Sequence, residues 1–104
     1  MNSGANDNDD ISALSETPTS YSVSCFPNPF NPSTQIRFGI ARAGFVSLKI
    51  YDMLGRAVAV LVEEDKSAGY FQMSWDASRL PSGVYFLRLQ ASKESIIQKM
   101  MLMR

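Results

Sequence analysis

The sequence predicts an all-β fold: an immunoglobulin-like, seven-stranded antiparallel β-sandwich. Short apolar runs recur at intervals close to the roughly 8–12 residues typical of sandwich folds, and turn-forming residues separate them. Within most runs, apolar and polar side chains alternate with a period of two, which indicates strands that bury one face. No segment has a convincing helical period. Two sheets packed face to face therefore fit the pattern better than a parallel sheet covered on both sides.

The first 19 residues differ in composition from the rest of the chain. Residues 1–19 are rich in Asn, Asp, Ser and Thr and offer little apolar surface to bury. Such a composition is typical of a flexible, disordered linker. We therefore expect a linker over 1–19 and one folded domain over 20–104. No basic segment followed by an apolar stretch occurs at the start, so any export signal of a parent protein is expected upstream.

Seven strands are predicted, and their inward positions define a core. The predicted strands are residues 21–25, 34–40, 45–51, 57–62, 70–75, 84–90 and 95–103. Apolar residues that alternate in phase within these runs are expected to share one core: Ile36, Leu48, Ile50, Trp75, Tyr85 and Leu87.

The connections between the strands carry their own signals. Residues 26–33 contain three prolines, which lack a backbone donor, so this segment can cross between sheets or cover an edge but cannot be a central strand. Residues 52–55 form a tight turn, with Gly55 in the position that needs a positive φ. Residues 63–69 are expected to be a solvated loop, and residues 76–83 are rich in turn formers.

The composition excludes several kinds of site. The chain contains no histidine, which removes His-based triads and most zinc or copper sites. Its one cysteine, Cys25, cannot form an internal disulfide and is expected to be a small buried residue at a strand end. The acidic residues of 1–16 leave 17–104 mildly basic, but the basic residues are spread out, so no nucleic-acid partner is expected.

Few carboxylates are candidates for chemistry. Glu63, Glu64 and Asp65 are adjacent, whereas glycoside hydrolysis needs two carboxylates held about 5–10 Å apart across a cleft. Asp52 and Asp76 follow aromatic strand ends and are candidate calcium ligands, but hydrogen bonds to the following turns explain them more simply. We therefore expect no catalytic residue, no metal site and no cofactor.

Exposed aromatic residues would indicate a different function. A set of aromatic side chains could form a stacking platform for sugars: Tyr21, Tyr70, Phe71, Trp75 and Tyr85. Trp75 and Tyr85 alternate in phase with apolar neighbours, which favours burial between the sheets. An accessory carbohydrate-binding or spacer module of a secreted polysaccharide hydrolase therefore stays open as the alternative.

A series of motifs carries a resemblance to a known family. They are residues 26–34 (FPNPFNPST), 36–38 (IRF), 46–56 (VSLKIYDMLGR), 75–76 (WD), 80–86 (LPSGVYF) and 99–102 (KMML). In this order they resemble the type A C-terminal sorting domain of the bacterial type IX (Por) secretion system, which is similar to the immunoglobulin-like domain of flagellar hook-capping proteins. The structural positions of the resemblance are Pro27, Asn28, Pro29, Phe30, Asp52, Gly55, Trp75, Gly83 and Tyr85.

The resemblance implies a non-catalytic module at the C-terminus of a larger secreted protein. Its partners would be the outer-membrane secretion machinery or a cell-surface component and a fused upstream cargo domain; the module itself would be a monomer. The cargo would travel through the periplasm and be secreted or attached at the cell surface. The family's terminal strand falls on residues expected to be recognised: Lys99, Met100, Met101, Leu102, Met103 and Arg104. An edge strand there would offer unpaired backbone groups to a partner.

Overall fold

Two antiparallel sheets make up the described part of the chain. The computed structural model describes residues 17–104. Its strands are β1 (Ser22–Phe26), β2 (Ser33–Ile40), β3 (Gly44–Tyr51), β4 (Ala57–Lys66), β5 (Gly69–Asp76), β6 (Gly83–Ala91) and β7 (Glu94–Leu102). One sheet has the order β1-β2-β5 and the other has the order β4-β3-β6-β7. The predicted all-β sandwich is therefore confirmed. None of these residues forms a helix that could span a membrane.

The strand boundaries differ most from the prediction at β4. The sequence predicted a strand over 57–62 and a solvated loop over 63–69, but β4 continues to Lys66 by pairing its last four residues with the start of β3. Acidic side chains are compatible with this position because β4 is an edge strand whose carboxylates remain in solvent. The predicted linker over 1–19 falls mainly on residues 1–16, which lie outside the described residues.

The core lies between the two sheets and contains most of the predicted residues. Five of the six are fully or almost fully buried: Ile36, Leu48, Ile50, Tyr85 and Leu87. Trp75 is different, because it is only half-buried and packs against the margin of the core. It belongs to β5, the last strand of its sheet, so no neighbouring strand among the described residues covers its outer side. The expectation that Trp75 lies in the core is therefore met only in part, because it packs against the core at its margin and keeps some exposure.

Two turns fix the geometry around the core. Gly55 has a φ of 83°, as predicted for the turn between β3 and β4. Tyr85 lies near the start of β6, and its hydroxyl donates a hydrogen bond of 2.6 Å to the carbonyl of Pro81. This arrangement is the tyrosine corner of immunoglobulin-like folds, in which a buried tyrosine ties a strand to the loop before it.

Candidate recognition surface

The C-terminal strand lies at an edge of the four-stranded sheet, as expected. β7 pairs along its whole length with β6, and its register places Lys99 opposite Phe86 and Met101 opposite Val84. Directly opposed residues of antiparallel strands point to the same face. The outer face of this sheet therefore carries the side chains of Lys99 and Met101.

Alternation along β7 divides the predicted recognition residues into two groups. Met100 and Leu102 point into the sandwich and are 0% and 1% exposed, so they belong to the core. Lys99 and Met103 are exposed, and Met101 is half-buried on the outer face. Only the second group is accessible to a partner while the domain is folded.

The proline-rich segment covers the free edge of β7 near the C-terminus. The amide of Phe30 donates to the carbonyl of Met101 at 2.9 Å, and the amide of Met103 donates to the carbonyl of Phe30 at 3.0 Å. The Asn28 side chain forms two hydrogen bonds with the backbone of β7: Nδ2 donates to the Lys99 carbonyl at 2.8 Å, and Oδ1 accepts from the Met101 amide at 3.0 Å. We call residues 27–32 the strap. Instead of being open, the edge at 99–103 is occupied by this strap.

Further contacts anchor the strap and the last residue. Phe30 is 2% exposed, and its ring centroid lies 5.8 Å from that of Trp75. The buried hydroxyl of Thr34 donates to the Pro27 carbonyl at 2.9 Å. Arg104 is held by the carbonyls of three residues in the loop after β5, namely Ala77, Ser78 and Leu80. The chain end is therefore packed onto the domain.

The start of β7 has a different environment. Among the described residues, no strand or bridge pairs with the outer edge of residues 94–98. Backbone groups on that edge therefore have no ladder partner there, although β1 of the other sheet lies close to β7. Ile97 adds an apolar side chain on the outer face there, since it is 61% exposed.

Asp52 organises the turn between β3 and β4. Its Oδ1 accepts hydrogen bonds from the amides of Leu54 and Arg56 at 2.9 and 3.0 Å, and its Oδ2 lies 2.8 Å from Arg56 Nε. These bonds, above all the one from the Arg56 amide, lower the pKa of Asp52 below its ordinary value. Asp76 similarly accepts the Ser78 amide at 2.8 Å. Both aspartates therefore cap turns, which was the favoured interpretation of the sequence.

The acidic cluster is not arranged as a catalytic pair. Glu63 forms an ion pair with Lys49 at 3.2 Å, and Glu64 forms one with Lys66 at 3.1 Å. The three acids are consecutive in an exposed strand, so neighbouring side chains point to opposite faces. In residues 17–104, no group of three or more Cys, Asp or Glu residues is placed to hold a metal ion.

The aromatic residues do not form the single platform considered from the sequence. Tyr85 is buried, and Tyr21, Phe71 and Trp75 are half-buried, whereas Tyr70 is 58% exposed. Phe26, which the sequence did not single out as a site, is 78% exposed. Cys25 is half-buried against the core, and burial raises the pKa of its thiol.

The sequence placed Asn28 and Phe30 among the structural positions of the resemblance, in a segment able to cover a sheet edge, but it did not predict their contacts with β7. Phe30 is the residue of that segment that enters the core, a burial that the sequence did not predict. A fully apolar side chain between two Asn-Pro pairs was the available signal, because such a residue gains little in a solvated loop. The anchoring of Arg104 on loop carbonyls had no sequence signal, since it joins positions distant in the chain.

Comparisons with known proteins agree with the fold and the motifs. A family model described as "Secretion system C-terminal sorting domain" matches residues 24–103. The chain is similar to dimeric latent PorU from Porphyromonas gingivalis, with 26% identity and a TM-score of 0.60 over 79% of this chain and 9% of that one. It is also similar to PorZ, a surface component of the type-IX secretion system of the same organism, with 24% identity and a TM-score of 0.57; the match covers 80% of this chain and 12% of PorZ. The PorZ likeness bears on the fold alone. No curated protein matches the chain.

Proposed function

The chain belongs to the family of secretion-system C-terminal sorting domains, and we propose that it directs an attached protein through the outer-membrane machinery of a type IX system to the cell surface. The observation that carries the proposal is the family match over 24–103, which spans nearly the whole folded unit. The chain corresponds to only 9% of the length of PorU, so the attached protein and its activity stay unspecified. In this proposal the domain is a monomeric sorting signal and performs no catalysis.

The start of β1 and the end of β7 lie at positions that suit a sorting signal. The strap continues from β1 and runs parallel to the end of β7, where Phe30 bridges Leu102. The start of β1 therefore lies at the opposite end, and Tyr21 shares a surface depression there with Ser92 of the turn between β6 and β7. An upstream cargo would join at the end remote from Arg104. A receptor could then contact the C-terminal end of β7 without meeting the cargo.

The outer face of β7 is the part that we propose a receptor contacts. Lys99 and Met101 lie on this face and Met103, which follows the end of β7, is also exposed, while the intervening Met100 and Leu102 belong to the core. Methionine side chains are flexible and polarisable, so they can adapt to a partner's apolar surface. Lys99 has no ion-pair partner among the described residues and adds a positive charge beside them. The receptor surface that fits these side chains is an apolar groove with an acidic rim.

The same burial pattern determines how the proposal must be tested. Deleting 99–104 would remove Met100 and Leu102 from the core, so loss of export would not distinguish unfolding from loss of recognition. The first experiment therefore leaves the domain intact. Residues 17–104 are fused to a periplasm-targeted fluorescent protein in a bacterium with a type IX system, and in a matched strain with that system inactivated.

We expect fluorescence outside the cell or on its surface in the first strain and in the periplasm of the second. A fluorescent protein without the domain is the control and should be periplasmic in both strains. Periplasmic retention of the fusion in the first strain would contradict the proposal and favour a spacer role. Equal export of the fusion from both strains would exclude a type IX route for this domain.

A further inference from the structure

The outer face of the three-stranded sheet has a composition unlike the rest of the surface. The register of β1, β2 and β5 places three rows of side chains on this face: Ser22, Gly39 and Tyr70; Ser24, Arg37 and Gln72; Phe26, Gln35 and Ser74. Aromatic rings occupy two opposite corners, and hydroxyl, amide and guanidinium groups lie between them. Arg37 is the one charged residue of these nine positions. Beyond the third row, β2 and β5 add the pair Ser33 and Asp76 to the same face.

Tyr70 lies across the sheet rather than standing away from it. A Cβ added at Gly39, on the neighbouring strand, would lie 2.9 Å from Ser22 Oγ and 3.3 Å from both Pro18 Cγ and ring atom Cε1 of Tyr70. The glycine therefore leaves space that the Tyr70 ring shares with Ser22 and Pro18, as in other sheets where an aromatic side chain covers a cross-strand glycine. Since Tyr70 is 58% exposed, the ring keeps a large surface open to solvent.

The polar side chains beside Tyr70 hold one another in place. Arg37 Nε donates to Gln72 Oε1 at 2.9 Å, Gln72 Nε2 donates to Gln35 Oε1 at 3.3 Å, and Gln35 Nε2 contacts Ser74 Oγ at 2.7 Å. The terminal Nη atoms of Arg37 form no hydrogen bond with residues 17–104. Each glutamine amide also keeps a second donor hydrogen, and each acceptor oxygen keeps a lone pair. The row is ordered, yet it can still bind a ligand.

We propose that this face is a binding site for a neutral or weakly acidic polysaccharide, with Tyr70 as its stacking platform. The C–H face of a sugar ring carries partial positive charge and packs on the negative face of an aromatic ring. Sugar hydroxyls both donate and accept, which matches the mixed amide, hydroxyl and guanidinium row. A shallow depression of about 440 Å³ lies beside Tyr70 and includes Ser24, Arg37 and Gln72 in its lining; it does not reach Phe26.

The charge and dimensions of the face select this kind of ligand. Arg37 is the one charged residue of the three rows, and Asp76, on the same face one row beyond Ser74, accepts the Ser78 amide. With one guanidinium and one carboxylate at separate places, the face suits a neutral chain or one with few acidic groups. Tyr70 and Phe26 are two strands and four residues apart along the register, which corresponds to about 17 Å at ordinary strand spacing. An extended oligosaccharide can cross this distance, whereas a single sugar cannot.

The test is a titration of the complete 104-residue chain with cellohexaose, xylohexaose and mannohexaose, followed by amide chemical shifts. We expect at least one of these probes to cause saturable shifts centred on Ser24, Arg37 and Gln72. Tyr70→Ala should weaken that binding about two- to tenfold, the equivalent of one aromatic stacking contact. Tyr70→Phe keeps the ring over Gly39 and should retain most of the affinity. Phe45→Ala is the matched control, because Phe45 is 56% exposed on the other sheet.

Arg37→Ala provides a second variant that leaves the packing of Tyr70 on Gly39 intact, and it should also weaken binding. No saturable shift with any of the three hexaoses would overturn the proposal. Shifts that persist at full strength in both Tyr70→Ala and Arg37→Ala would overturn it too. The measurement uses purified protein, so its failure is separate from failure of export in cells.

Discussion

Asn28 is the residue whose replacement tests the strap most cleanly. Its side chain forms two hydrogen bonds to β7, to the carbonyl of Lys99 at 2.8 Å and from the amide of Met101 at 3.0 Å. A hydrogen bond contributes about 0.5–1.5 kcal/mol net to stability, and these two are exposed to solvent, which favours the lower half of that range. Asn28→Ala should therefore lower the free energy of unfolding by about 1–2 kcal/mol. For a domain of this size, each kcal/mol corresponds to a fall of about 4–8 °C in Tm.

The loss should also be local. Urea unfolding measures the global effect, and amide hydrogen exchange measures the opening of β7 at Met101. We expect faster amide exchange at Met101 in Asn28→Ala. The exchange rates of amides in the middle of β6 should rise only as much as the loss of global stability requires. Asn31→Ala is the matched control, because Asn31 belongs to the same strap and forms no side-chain hydrogen bond within residues 17–104. Equal stability and equal Met101 exchange in the two variants would refute the assignment of the strap as a clamp.

Three further predictions concern the fold. Phe30→Ala should lower the free energy of unfolding by about 3–5 kcal/mol, because the ring is 2% exposed; a loss under about 1 kcal/mol would contradict its place in the core. Tyr85→Phe should cost about 0.5–1.5 kcal/mol by removing the bond to Pro81, and no loss in urea unfolding would argue against the tyrosine corner. The pKa of Asp52 is lower in the folded state than its ordinary value of 3.8, so the ionised carboxylate stabilises the folded state at pH values above 3.8. That stabilisation is lost as the pH falls through the folded-state pKa. The Tm of Asp52→Asn should therefore change less with pH in this acidic range than the Tm of the wild type; an equal dependence of Tm on pH would contradict the turn geometry.

Much of the fold was predictable because period-two alternation directly reports which face of a strand is buried. Ile36, Leu48 and Leu87 were placed in the core by this rule, and all three are fully buried. The rule fails at sheet edges, where burial depends on which strands are neighbours. Trp75 follows the alternation but is half-buried, since β5 ends its sheet.

The recognition surface was less predictable, because it depends on contacts between distant parts of the chain. The family resemblance pointed to residues 99–104 as a unit, but it could not distinguish the buried Met100 from the exposed Met103. The alternation in β7 gives that distinction only once the inner face is known. Asn28 covers the edge of β7 by bonding to Met101, which is 73 residues away in the chain. Local sequence carries no signal for such a contact.

We propose that a secretion receptor contacts the outward side chains at the end of β7 and the exposed Met103 that follows it. The most direct test is the fraction of the fluorescent fusion that reaches the cell surface when Lys99, Met101 and Met103 are all replaced by Ser. Val60→Ser is the control, because Val60 is 56% exposed on β4, at the opposite edge of the same sheet. Thermal melting of each purified domain verifies that the variants are folded. We expect periplasmic retention of the folded triple variant and normal export of Val60→Ser; equal surface display of the two would rule out this contact surface.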